Sequence, residues 1–254
     1  MSGDYREHQP SEALKPFVEC FWTRVGRPGL DTRVLPDGAV DIIFDLAAPS
    51  SPMAAFVVGT MTAPVVVKPL RACDYVAVRF RPGGAQPLFG NSLRELTDHR
   101  VGLGSIWSAQ VASEWIQRLK ETESAPGRAR LLEQLLIGRI AGSAPIEPRV
   151  REAVRRIALS RGSFPVERLS STLGLTRQHL TRLFDFHVGL GVKVFSRIIR
   201  LRHVLGALER VSSERCRVDW ARLAVEAGYF DQAHFVRDFR ALTGLTPERF
   251  QHRD

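Results

Sequence analysis

Residues 169–189, LSSTLGLTRQHLTRLFDFHVG, and residues 223–244, LAVEAGYFDQAHFVRDFRALTG, carry one pattern twice. In each copy a leucine is followed by a glycine, and then by a histidine, an arginine and a phenylalanine before a closing glycine. The offset is 54 residues at Leu169/Leu223 and 55 residues at His179/His234, so one residue is inserted in the second turn. Each copy therefore consists of a short apolar segment, a glycine-containing break and a second segment. This arrangement, repeated within one chain, predicts two helix-turn-helix units.

The two units span about residues 165–187 and 219–241. Thr176 and Asp231 are placed to cap the second helix of each unit. Between the units, residues 193–210 have the broad apolar surface of a long helix that is flanked on both sides. Such a helix would fix the separation of two recognition helices, which suits successive major-groove segments about 34 Å apart.

The charge of the chain is concentrated on the half that contains the repeat. Residues 1–145 hold 16 Lys/Arg and 15 Asp/Glu, a net charge of +1, whereas residues 146–254 hold 20 and 12, a net charge of +8. A basic region beside a neutral one is what binding to a phosphate backbone requires. Together with the repeat, this asymmetry indicates a DNA-binding protein.

The first hundred residues are predicted to be mostly strands, separated by Pro/Gly/Asp clusters. The predicted strands are residues 18–23, 39–46, 56–60, 64–67 and 75–80. This spacing predicts a small antiparallel β barrel or sandwich. The fold class is therefore α+β, with an all-α C-terminal domain of two helix-turn-helix units joined by a long helix.

A helical pair follows the strands over residues 101–142. Its apolar periodicity suits packing against the sheet, and a dimer interface is the alternative. We expect an effector-sensing or dimerisation domain over residues 1–142, a linker at 143–148 and a DNA-binding domain over 149–254.

Arg79 and Arg81 alternate with apolar neighbours, so both are expected on one face of their strand. If that face lines a pocket they would hold an anionic ligand, and if it faces water they are solubilising charges. The run from Arg81 to Gly84 reads as a turn, because it lacks the Gly-Lys-Ser/Thr ending of a phosphate loop.

The first turns of each recognition helix supply the candidate base contacts. Gln178 would pair with adenine, Arg182 with guanine or a phosphate, and the small or apolar Ala233 and Val236 would touch thymine methyl groups. The complete set of DNA-binding candidates is Arg177, Gln178, Thr181, Arg182, Gln232, Ala233, Val236 and Arg237.

These residues resemble the DNA-binding domain of the AraC/XylS family of bacterial transcription regulators, over about residues 148–252. The match runs through residues 169–195, through 221–239 and through 243–247 (Thr-Gly-Leu-Thr-Pro). It departs at Val192, where the second copy has Pro247, and at Ala233 with Val236, which remove polar groups from two reading positions. Residues 35–38 (Leu-Pro-Asp-Gly) and 79–85 also resemble a sensor-like domain found in one subgroup.

The resemblance implies a cytoplasmic bacterial regulator, nucleoid-associated when bound, that has double-stranded promoter DNA and RNA polymerase as partners. A small-molecule effector or a homodimer would modulate it. We expect no membrane association, because no run approaches the roughly 20 apolar residues of a span, and no export, because the polar residues 1–10 contain no signal-peptide core.

No catalytic residue, metal site or cofactor is expected. His179 and His234 occupy equivalent positions but have no ligand cluster at suitable spacing, so we interpret them as packing or phosphate contacts. Two alternatives remain. One is a DNA-repair enzyme with a reactive cysteine among Cys20, Cys73 and Cys216, and the other is a nonspecific nucleoid-binding protein.

Overall fold

The computed structural model describes residues 4–29, 31–48, 51–212 and 218–251. The strands are β1 (Asp4–His8), β2 (Val18–Gly26), β3 (Thr32–Val34), β4 (Val40–Asp45), β5 (Ala55–Val58), β6 (Val65–Val67), β7 (Cys73–Phe80) and β8 (Arg100–Gly102). Six of them form one antiparallel sheet in the order β1-β2-β7-β4-β5-β8, and β3 pairs with β6 in a separate ribbon.

The predicted antiparallel architecture is confirmed. Strands β2, β4, β5, β6 and β7 coincide with the five runs expected from the sequence, whereas β1, β3 and β8 were not predicted. Within the described residues the sheet ends at β1 on one side and at β8 on the other. It therefore stays open and does not close into a barrel.

Helices cover one face of this sheet. The helices of the first half are α1 (Gln86–Phe89), α2 (Leu103–Ile106), α3 (Ala109–Glu121) and α4 (Ala125–Ile140), with a 3-10 helix at Leu93–Leu96. Alternate residues of β7, among them Val78 and Phe80, are buried in one core with Trp115 of α3 and Leu132 of α4. The helical pair thus buries its apolar residues against the sheet, as the packing interpretation predicts.

The second half is helical and has its own core. It contains α5 (Pro148–Leu159), α6 (Val166–Thr172), α7 (Arg177–His187), α8 (Val192–Ser212), α9 (Trp220–Glu226), α10 (Gln232–Thr243) and α11 (Pro247–Gln251). Helix α8 is buried at positions three or four residues apart, including Phe195, Ile198 and Leu201, and both units join its core. Arg197 of α8 also pairs with Asp238 of α10 at 2.9 Å. The long helix therefore holds both units in a single packed body.

The turn at Gly38 brings the two halves into contact. Gly38 has a φ of +79°, and a Cβ there would lie 2.8 Å from the ring of Phe195 on α8. Glycine therefore suits this position both for its backbone conformation and for the close approach of a helix. Nearby, Arg202 of α8 lies 3.4 Å from the Glu19 carboxylate of β2.

None of the helices that the structure describes combines the length and the apolar character needed to cross a membrane.

Candidate nucleic-acid interface

The first unit consists of α6, a turn at Gly174 and α7. Gly174 has a φ of +65°, and the Leu175 N–H donates to the Ser170 carbonyl at 2.9 Å, which closes the turn. Thr176 then caps α7, because its Oγ1 accepts a hydrogen bond from the His179 N–H at 3.1 Å. The predicted cap and the predicted break are both present.

The second unit, α9 and α10, repeats this geometry. Gly228 has a φ of +76°, and the Tyr229 N–H donates to the Ala224 carbonyl at 3.0 Å. Asp231 caps α10 by accepting from a backbone N–H of the first turn. The extra residue of this copy lies between Gly228 and Asp231, where the side chain of Phe230 is 92% exposed. The insertion is therefore absorbed in the loop, and the turn hydrogen bond keeps its equivalent partners.

Each recognition helix buries one side and exposes the other. Leu180 and Phe184 of α7, like Phe235 and Phe239 of α10, are completely buried. Seven of the eight candidate DNA contacts are exposed, namely Arg177, Gln178, Thr181, Arg182, Gln232, Ala233 and Arg237. Val236 is half-buried and packs against the core, so less of its side chain can meet a thymine methyl group than an exposed position would allow.

The candidates of the first unit lie together in an open groove of about 710 Å³. All four of them line it, and Lys193 at the start of α8 lines it as well. Lys193 is exposed, and the set of candidates predicted from the sequence did not include it. The sequence signal that could have indicated it is a lysine between Val192 and Val194 at the start of a helix. Only the packing of α8 beside α7 brings its charge to the recognition helix.

Some polar side chains of this groove already form contacts with other residues of the protein. Arg177 pairs with Glu167 of α6 at 3.0 Å, and the Thr181 hydroxyl donates to the Arg177 carbonyl. Within the described part of the chain, the side chains of Gln178 and Arg182 have no hydrogen-bond partner. They are therefore the groups that could form bidentate pairs with base edges without first breaking a contact.

The two equivalent histidines are placed differently from metal ligands. His234 packs edge-on against the ring of Tyr229 and lies 3.9 Å from Asp238. The described residues contain no group of three His, Cys, Asp or Glu side chains that could hold a metal ion. His179 is half-buried on α7. Packing accounts for the position of His234.

Of the cysteines that the structure describes, Cys20 is unsuited to nucleophilic chemistry. Cys20 and Cys73 are free and buried. Burial raises the pKa of the Cys20 thiol to about 12, so it carries its proton at neutral pH. Cys216 lies outside the described residues. The repair-enzyme alternative receives no support from Cys20.

The two arginines proposed for ligand binding each have different partners within the protein. Arg79 makes two contacts of 3.2 Å with the Asp41 carboxylate and lies 3.6 Å from Asp37. Burial raises the pKa of Asp41 to about 6, and the charge of Arg79 acts in the opposite direction. Arg81 donates to the Lys15 carbonyl at 2.8 Å. An anionic ligand would have to compete with these partners.

The first half contacts the C-terminal end of both recognition helices. Arg94 of the 3-10 helix pairs with Asp185 of α7 at 3.0 Å, and Thr97 donates to the Gly189 carbonyl beyond that helix. Arg33 of the β3–β6 ribbon donates to the carbonyl of Thr243, the last residue of α10, at 2.9 Å. These contacts lie at the opposite end of each helix from the candidate reading residues.

Family models match part of each half. Residues 169–253 match a family described as a helix-turn-helix domain, and residues 6–102 match a domain of unknown function (DUF6597). Among curated proteins, none matches the chain.

Two solved structures are similar at low sequence identity. ToxT from Vibrio cholerae O395 is 9% identical over 91% of this chain and 96% of that chain, with a TM-score of 0.46. Unsaturated fatty acid bound wild-type ToxT from Vibrio cholerae strain SCE256 is 8% identical over 98% and 91%, with a TM-score of 0.40.

Proposed function

We propose that this chain, whose C-terminal region is an AraC-type helix-turn-helix domain, is a transcription regulator that reads two successive major-groove segments of promoter DNA. The observation that carries the proposal is the duplicated unit on a single rigid helix. Both turns close with equivalent hydrogen bonds, and both recognition helices present their first turns to solvent. Two helices held in this way can read one face of a duplex without a second copy of the chain.

In this proposal the two recognition helices have unequal roles. Arg177, Gln178, Thr181 and Arg182 supply most of the base reading, because Gln178 and Arg182 form no side-chain hydrogen bond with any residue that the structure describes and lie in one groove with Lys193. Gln232 and Arg237 contribute polar contacts from α10, while Ala233 and Val236 offer only small or apolar surface. Phosphate contacts by the basic half provide affinity that falls as salt rises.

We further propose that residues 1–142 form a domain that modulates binding, joined by a linker at 143–148 to the DNA-binding domain at 149–254. The modulator would be a small-molecule effector or a second copy of the chain, and RNA polymerase is the expected partner at the promoter. The contacts at Asp185 and Thr243 support this arrangement, because a shift of the first half would move the ends of α7 and α10 directly. Arg79 and Arg81 remain the candidate anion-binding residues of that domain.

The test is selection of random duplex DNA by the purified full-length protein. Enrichment of a bipartite motif, with halves about one helical turn apart, is the expected result. Enrichment of one half only would mean that α10 positions the protein without reading bases. Binding to every sequence with no enrichment would overturn the proposal in favour of a nonspecific DNA-binding protein.

A further inference from the structure

A second cleft, of about 340 Å³, lies where the two helix-turn-helix units meet. It is lined by the segment that leads into α6, by one side of α8, and by Gly228 and His234 of the second unit. Its volume falls near the lower end of the range for small-ligand sites, which begins at about 300 Å³. The cleft therefore has room for a compact ligand that would touch both units at once.

The side chains around this cleft are predominantly cationic. Lys193, Arg197 and Arg200 of α8 all line it. Two acidic groups lie near them. Asp238 pairs with Arg197 at 2.9 Å and lies 3.9 Å from His234, and Glu167 lines the neighbouring groove together with Lys193. Three cations against two carboxylates, one of which, Glu167, also pairs with Arg177, leave a positive excess. A cleft of this charge attracts anions.

Two buried polar groups of the cleft lack partners. Ser196 is only 5% exposed, and its Oγ has no hydrogen-bond partner among the described residues. The Arg200 Nε is likewise buried and unpartnered there, while its guanidinium lies 5.1 Å from the centre of the Tyr229 ring. A helical serine usually donates to the carbonyl four residues earlier, and leaving a buried donor unsatisfied is costly. Both residues line the cleft, so a rotation of their side chains toward it would let one bound acceptor satisfy both groups.

We propose that this cleft binds one phosphate group, held by the Ser196 hydroxyl, the Arg200 guanidinium and the Lys193 ammonium. An oxyanion is the ligand class that accepts hydrogen bonds from all three and offsets the positive excess. Because the cleft joins the entrance of α6 to Gly228 and α10, the bound phosphate would also fix the spacing of the two recognition helices. Its source is either a backbone phosphate of bound DNA or the phosphate of a free metabolite. The site does not depend on base reading by α7 or α10.

The first experiment is a calorimetric titration of the full-length protein with inorganic phosphate, at an ionic strength held constant with chloride. We expect saturable binding with one phosphate per chain. Ser196→Ala removes one neutral hydrogen bond and should weaken binding about fivefold. Arg200→Gln removes a charge-assisted contact and should weaken it by about tenfold or more. Lys193→Gln, at an exposed position, should also weaken it and should leave the fold intact, since its side chain is not in the core.

Matched controls separate the cleft from general charge effects. Arg130→Gln changes the same charge at an exposed position of α4, and Ser171→Ala removes an exposed hydroxyl of α6. Both should bind phosphate as the unmodified chain does. Near-ultraviolet circular dichroism and urea unfolding check that each variant is folded. Titration without saturation, or equal affinity in the cleft variants and the controls, would mean an adventitious ion only and would overturn the site.

Duplex binding then identifies the source of the phosphate. If inorganic phosphate competes with a random duplex and Arg200→Gln, at a position that lines the cleft but not the groove of the first unit, lowers the salt slope by about one ion, the ligand is a backbone phosphate. If the cleft variants lose phosphate binding but keep duplex affinity, the ligand is a free phosphate-bearing molecule. Failure of the DNA selection with phosphate binding intact would remove the proposed function and leave this site standing.

Discussion

The two helix-turn-helix units share a backbone but differ in both their interiors and their surfaces. The second unit packs five aromatic rings near one another, those of Trp220, Tyr229, Phe235, Phe239 and Phe250. In the first unit Phe184 meets the ring of Phe195 on α8, and leucines fill most of the remaining core. The exposed surfaces differ in the opposite sense, because α7 exposes polar side chains at the positions where α10 has Ala233 and Val236.

This difference separates the requirements of folding from those of recognition. The glycine turns, the caps and the buried phenylalanine recur in both copies because each is needed to close the unit. Exposed positions carry no such packing requirement and are free to diverge. The second unit thus has the richer core and the plainer surface, which suits a larger part in stability and a smaller part in base reading.

The largest effect expected from this comparison is on stability. Phe239→Ala should cost about 3–5 kcal/mol of unfolding free energy, since the side chain is completely buried. Phe184→Ala should fall in the same range but lower, because Phe184 loses one ring contact whereas Phe239 loses three. Urea unfolding followed by circular dichroism measures both values.

Phe230→Ala is the matched control for these variants. Its ring is 92% exposed, so the same substitution should change the unfolding free energy by less than about 0.5 kcal/mol. A cost for Phe184→Ala that exceeds the cost for Phe239→Ala would contradict the view that the second unit has the stronger core.

The next effect is on DNA binding. Arg182→Ala should weaken specific binding by about 1–3 kcal/mol and relax the base preference of the first half-site. Arg237→Ala should weaken binding by a similar amount if it contacts a base, or almost equally on all sequences if it contacts a phosphate. Electrophoretic mobility shifts on the selected duplex and on a scrambled one distinguish these results.

Arg240→Ala provides the charge control, since Arg240 is exposed in the last turn of α10, away from the reading positions. It should reduce the salt dependence at most slightly and leave sequence preference intact. Unchanged target affinity in both Arg182→Ala and Arg237→Ala would refute the assignment of α7 and α10 as reading helices.

The smallest effect concerns the caps. Thr176→Ala and Asp231→Ala should each cost about 1 kcal/mol, because each leaves one N–H of the first helical turn without its acceptor. Asp231→Ala should cost more, since its carboxylate also interacts favourably with the positive end of α10. Urea midpoints measure both, and Asp231→Asn, which retains an acceptor, should recover most of the loss.

The sequence predicted the elements whose signals are local. The sequence identified Thr176 and Asp231 as helix caps, and it identified the longer β-branched or aromatic runs as strands. The two ribbon or edge strands β3 and β8, at three residues each, are too short to show a period, and β1 is polar. The helical pair was predicted to begin at residue 101, but α3 begins at Ala109 because Ser108 caps it there.

The sequence predicted which residues belong to the candidate site, but it did not predict how they are arranged in space. The repeat placed the candidate reading residues on two helices, and all of them are exposed except Val236. The engagement of Arg79 by Asp41 could not be predicted, because the pair forms between strands 38 residues apart in the chain. Lys193 and Ser196 were missed for the same reason, since their significance comes from what packs beside α8.

The sequence by itself determined the two units, their turns, their caps and the concentration of positive charge, because periodicity, glycine and cap chemistry and composition are properties of adjacent residues. The tertiary structure decided which polar and charged side chains are paired within the described part of the chain. It joined Arg79 to Asp41, and among the residues described it left the side chains of Gln178 and Arg182 without a hydrogen-bond partner in the groove beside Lys193. It also formed the cationic cleft around Ser196, because only packing of distant segments brings those groups within reach of one ligand.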